Sequence, residues 1–82
     1  MTTAQSELLE RVRARRTLPV TEERRRIREA ANVTQHELAR ALGVSWTAIY
    51  RWERGSRPRA REHEVAYADL LLELKRASGE GA

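Results

Sequence analysis

Residues 34–55, TQHELARALGVSWTAIYRWERG, are the stretch whose reading decides the fold. They read as a short helix, a tight turn and a second helix. Thr34 suits an N-cap and Glu37, three positions on, completes a capping box, so the spacing predicts a helix starting at Gln35. Leu38, Ala39 and Leu42 fall on one apolar stripe at helical spacing. Gly43 stops that helix, because glycine enters the left-handed region without a steric penalty. Val44 fills the corner, and Ser45 caps a second helix whose inward face is Ala48, Ile49 and Trp52. Gly55 ends the second helix. Helices this short are marginal alone in water, so they must pack on each other and on neighbours. Trp46, Thr47, Tyr50, Arg51 and Arg54 are left on the outer side.

An interlocked helix pair with an arginine-bearing outer face suits a helix-turn-helix that enters a DNA groove. The joint pattern of Arg28, Thr34-Gln35, Glu37-Leu38-Ala39, Leu42-Gly43-Val44-Ser45, Ile49, Trp52-Glu53 and Gly55 resembles the lambda-repressor-like group of proteins. That group includes phage Cro and repressor domains and XRE-type bacterial regulators. The resemblance covers roughly residues 21–75. It implies an all-α fold, a small domain with a central helix-turn-helix; an extra N-terminal helix, which the family core does not require, makes the expected helices five. Residues 1–20 would be that helix and a connector, 21–77 the DNA-binding domain and 78–82 a flexible tail. By the same resemblance, Arg28 pairs with Glu53 near the end of the reading helix, and Gln35 buttresses that helix. The alternative for residues 34–55 is an ordinary corner between two helices in a protein that binds no nucleic acid.

Composition narrows the classes. The chain has 82 residues, and one this size buries only ~60% of the surface its unfolded form exposes, so a second copy or DNA would add stability. It lacks cysteine, so there is no disulfide framework and no thiolate metal site, and the expected setting is a reducing bacterial cytoplasm or nucleoid. No apolar run approaches a membrane span and no signal-peptide core stands at the N-terminus, so no membrane partner is expected. The net charge of +4 is unevenly laid out. Residues 1–61 carry fourteen basic side chains against seven acidic, about +7; residues 62–82 carry two against five, about −3. The basic part is an electrostatic footprint for phosphates, and the acidic end should face away from them.

Along the chain, Ser6 is expected to cap a helix reaching about Arg16, with Leu8, Leu9 and Val12 as its apolar side and Arg11, Arg13, Arg15 and Arg16 near its end. This helix docks on the domain, extends a dimer interface or lies along DNA. Pro19 separates it from a second helix, capped by Thr21, with Glu22 and Glu23 in the first turn. The inner face there is Ile27, Ala30 and Ala31, beside Arg24 or the stem of Arg28. Asn32 should end it in a left-handed turn. The last helix, residues 62–76, carries one stripe of Val65, Ala68 and Leu72 and a second of Tyr67, Leu70, Leu71 and Leu74. Two adjacent stripes exceed one domain face, so the second is expected to be a homodimer seam. The competing account is a wider core that also receives Leu8, Leu9 and Val12.

Sequence-specific binding needs phosphate contacts for position and base-edge contacts for reading. The expected major-groove set is Trp46, Thr47, Ala48, Tyr50 and Arg51, on a helix spanning residues 45–54. Arg51 suits guanine O6 and N7, and the methyls of Thr47 and Ala48 suit thymine. Trp46 departs from relatives, which often carry Gln, Ser or a small polar group there; it could stack on the groove edge, contact sugar-phosphate or pack on the domain. The expected backbone set is Gln35, Ser45 and Arg54 together with Arg57, Arg59 and Arg61 of a basic loop. In relatives this loop follows the DNA backbone. His36 and His63 have no metal-ligand spacing, and no nucleophile arrangement or phosphate-cradling loop is present, so no catalysis, metal, cofactor or small-molecule ligand is expected.

The expected function is a transcriptional regulator, a Cro-like repressor that binds a palindromic double-stranded operator as a homodimer. A DNA-binding accessory factor, such as an excision factor or an antitoxin, and a protein-interaction module without DNA binding are the alternatives. Binding to random duplex at low salt separates the last from the others.

Overall fold

A computed structural model describes residues 3–14 and 18–79 of the chain. Five helices follow in order: α1 (Thr3–Ala14), α2 (Thr21–Ala30), α3 (Gln35–Leu42), α4 (Trp46–Trp52) and α5 (Arg61–Ala77). Among the described residues there is no strand.

Local chemistry sets most of the boundaries. Thr34 Oγ1 accepts the Glu37 N–H at 3.1 Å while the Thr34 N–H donates to Glu37 Oε1 at 2.9 Å, which satisfies two donors at the start of α3. Gly43, at φ 68°, closes α3 in the left-handed region, and Ser45 Oγ accepts the Ala48 N–H at 3.2 Å to open α4. Asn32, at φ 58°, turns the chain between α2 and α3, a conformation asparagine tolerates better than most residues. Two expected caps are corrected. Val20 is the N-cap of α2, its carbonyl accepting the Glu23 and Arg24 N–H groups, and Thr21 lies inside the helix. Likewise α1 starts at Thr3, which leaves Ser6 inside it.

The core gathers Leu18, Ile27, Leu38, Ala39, Ile49, Trp52, Tyr67, Ala68 and Leu71 into one cluster. α3 and α4 pack on each other, and α5 lies against α2 and α3. The rings of Trp52 and Tyr67 meet at 5.1 Å, tilted by 36°, and lock the end of α4 onto α5. Each wholly buried Leu or Ile contributes about 1.5–3 kcal/mol over leaving it in water. The proposed seam on α5 is corrected at two of its four residues. Tyr67 and Leu71 are 0% exposed, enclosed in the monomer's own core, because neighbouring helices cover more than one face of α5. Leu70 and Leu74 are half-buried and pack against the same cluster.

The competing wider core is corrected as well. Leu8 and Leu9 are 58% and 38% exposed and stand outside the core cluster, although α1 does touch α5. Ala30, expected inside, is exposed, and Ala31 is half-buried. The side chains of Val12, Arg11 and Arg13, together with Arg15, Arg16 and residues 80–82 of the expected tail, lie outside the described residues.

Candidate nucleic-acid interface

α4 has seven residues, too few for a stable helix alone, and side chains of α2 and α3 hold it at both ends. Arg28 donates to Glu53 through Nε (2.6 Å) and Nη2 (3.0 Å), a bidentate pair, and through Nη1 to the Val33 carbonyl at 2.8 Å. The hydrogen-bonded Glu53 carboxylate raises the Arg28 pKa above its ordinary value, and burial opposes that shift. Glu53 Oε1 also accepts Gln35 Nε2 at 3.0 Å, and Gln35 Oε1 accepts the Trp46 indole N–H at 2.9 Å. One hydrogen-bonded chain therefore runs from α2 to the end of α4, on to the start of α3, and back to the start of α4.

Arg24 makes a second tie. Its Nε donates to the Pro19 carbonyl at 2.8 Å, and its Nη1 donates to the Trp52 and Ser56 carbonyls at 3.0 and 3.1 Å. A guanidinium at the C-terminal carbonyls of α4 satisfies orphan acceptors and opposes the negative end of the helix dipole. The sequence reading set Arg24 beside the core but gave it no partner. The available signal was its i, i+3, i+4 spacing with Ile27 and Arg28, which puts it on the buried stripe of α2.

The outer side of α4 presents Trp46, Thr47, Tyr50, Arg51 and Arg54, all exposed. Trp46 stacks on His36 with ring centroids 5.6 Å apart and planes within 7°, and Tyr50 flanks it at 5.6 Å, tilted by 41°. The Arg54 guanidinium sits 4.5 Å from the Tyr50 ring centroid, a cation–π contact. Arg51 and Arg59 make no ion pair with any described residue. Beside this face opens a cleft of about 560 Å³, lined by Arg25, Arg28, Gln35, Trp46, Tyr50, Glu53 and Arg54.

A family model described as the helix-turn-helix domain matches residues 20–78, most of the chain. The chain belongs to the helix-turn-helix domain family. No curated protein and no solved structure matches it. The membership agrees with the Cro- and XRE-type resemblance, and it makes this a DNA-binding domain of a regulatory, typically non-enzymatic kind.

Within this helix-turn-helix domain α4 occupies the place of the reading helix. Of the expected base-reading set, Trp46, Thr47, Tyr50 and Arg51 share the outer face, whereas Ala48 is half-buried and packs against the core. Of the expected backbone set, Arg54, Arg57, Arg59 and Arg61 are exposed, and buried Pro58 anchors their loop. Arg57 is held by Glu64 at 3.2 Å. Ser45 Oγ is occupied as a cap, and the Gln35 amide is held between Trp46 and Glu53, with one N–H of its Nε2 left over. Arg25, which the sequence reading did not single out, borders the cleft and pairs with Glu29 at 3.3 Å. No group of His, Cys, Asp or Glu that could hold a metal ion occurs among the described residues, and no described helix is long and apolar enough to cross a membrane.

Proposed function

We propose that this protein is a sequence-specific regulator of transcription, a Cro-like repressor that reads the major groove of double-stranded DNA with α4. The observation that carries the reading is the outer face of a rigidly clamped α4, where exposed Arg51 has no ion-pair partner among the described residues. A guanidinium in that state is available for guanine O6 and N7, and exposed Arg59 of the following loop is available for phosphate. The operator is an approximate palindrome bound by two copies, with half-sites ~34–36 Å apart in the manner of helix-turn-helix dimers. Exposed Leu8 and Leu9 on α1 and half-buried Leu70 and Leu74 on α5 are the apolar surface open to a second copy. The protein works in the bacterial cytoplasm, on the nucleoid.

Selection of bound sites from random duplexes tests this directly, since it returns motif, symmetry and spacing together. Arg51→Ala should weaken binding by ~1–3 kcal/mol and relax one base-pair position. Arg59→Ala should weaken all sequences alike and make the slope of log K against log salt shallower by about 0.9. Absence of binding to any duplex at low salt would overturn the reading in favour of a protein-interaction module.

A further inference from the structure

Trp46 stands at the first position of α4 with no hydrogen-bonding atom to offer. Its single N–H donates to Gln35 Oε1 at 2.9 Å, and an indole has no acceptor. Gln35 is itself fixed through Nε2 on Glu53 at 3.0 Å. His36 lies parallel on the ring at 5.6 Å and Tyr50 flanks it, so the indole cannot swing freely. Yet it is 43% exposed, at the start of the helix that also exposes Thr47 and Arg51. The result is a rigid, apolar plate on a face otherwise suited to polar readout.

We propose that Trp46 is a specificity-determining residue that recognises a C5-methyl group in the major groove, that of thymine or 5-methylcytosine. This rests on the DNA-reading role of α4 argued above. Apart from small C–H edges, the other major-groove groups of the four bases are hydrogen-bond donors or acceptors, namely N7, O6, O4, N4 and N6. A plate with no free donor or acceptor would strip water from those groups without replacing it, which is unfavourable. The C5-methyl is the one feature it rewards, through burial of apolar surface. One methyl buried against the ring is worth about four-fold in affinity, the factor to which ~0.8 kcal/mol converts. Thr47 carries a methyl on the same helix, so the experiment has to separate the two.

The test uses the full chain and a duplex selected for tight binding. Each thymine is replaced in turn by uracil, which removes only the methyl group, and binding is followed by fluorescence anisotropy. Wild type should lose about four-fold or more at one thymine. A C·G pair placed there should bind more tightly when its cytosine carries the 5-methyl group. In Trp46→Ala the difference between thymine and uracil at that position should vanish, while Thr47→Ser should retain it. Trp46→Gln, which keeps a donor for Gln35, serves as the second variant and decides the matter if the alanine variant does not fold. No uracil-sensitive position, or the same sensitivity in the folded Trp46 variants, would overturn the proposal with DNA binding intact. Failure of wild type to bind any duplex is a separate result, which removes the DNA reading itself and this proposal with it.

Discussion

Replacing Arg28 with alanine should strip the domain of a large share of its stability. Glu53 has a side chain only 3% exposed and receives three hydrogen bonds, two of them from Arg28. After the substitution, its nearly buried carboxylate keeps only the Gln35 amide. Leaving one partner of a buried ion pair uncompensated costs about 3–5 kcal/mol. A chain of this length carries ~4–12 kcal/mol in total, taken at ~0.05–0.15 kcal/mol per residue. Glu53→Ala should cost less, because Arg28 is 10% exposed and keeps the Val33 carbonyl. The assay is urea unfolding followed by circular dichroism. With a slope of ~1–3 kcal/mol per molar, Arg28→Ala should lower the midpoint by ~1 M or more. The double variant should cost clearly less than the two singles added, because each single already breaks the same pair. A cost of ~1 kcal/mol or less for Arg28→Ala, with additive singles, is the behaviour of an exposed pair and would refute the reasoning.

Leu71→Ala should cost about 2–5 kcal/mol as a wholly buried truncation, and Leu70→Ala clearly less; equal effects on melting would contradict the assignment of Leu71 to the core. The Tyr67 hydroxyl is buried without a hydrogen-bond partner among the described residues, and burial, followed by the nearby Glu53 charge, pushes its pKa up. Tyr67→Phe should therefore leave stability unchanged or raise it, by up to ~1–3 kcal/mol; a loss of that size would reveal a bridging water. Glu37 is held below its ordinary value of 4.5 by the Thr34 backbone N–H and then by the Thr34 side chain. A depressed carboxylate stabilises the fold above its unfolded value and loses that contribution as pH falls through the folded one. Urea midpoints of wild type and Glu37→Ala should thus differ at about pH 7 and draw together as pH falls below 4.5 and through the depressed folded value. A gap that persists at the lower pH would detach the effect from the carboxylate charge.

Local signals made much of the fold legible. The capping box at Thr34 and Glu37, the stop at Gly43 and the left-handed Asn32 each follow from a few neighbouring residues, and each stands in the structure. Long-range partners were harder to read. Arg24 meets Trp52 and Ser56 about thirty positions away, and no local spacing encodes which carbonyls a buried guanidinium will find. α5 misled for a related reason: periodicity reports how much of a helix is apolar, not what covers it. A helix packed against several others buries two stripes within one monomer, so Tyr67 and Leu71 looked like surplus surface. At Trp46 the sequence left three fates open. The indole N–H on Gln35 and the ring on His36 show that it packs on the domain with one side still facing out.

The clamping of α4 separates two properties that usually trade against each other. Its termini are gripped from α2 and α3 by Arg24, Arg28 and Gln35, and its inner side by Ile49 and Trp52 in the core. Thr47, Tyr50, Arg51 and Arg54 thereby take no part in holding the helix to the core, and substitutions at such exposed sites usually stay within ~0.5 kcal/mol. Target choice and fold can then be inherited independently. A lineage of such proteins could be readdressed to new operators by drift at four positions without passing through unfolded intermediates, and a laboratory library at those positions could sample many addresses on one unchanged scaffold.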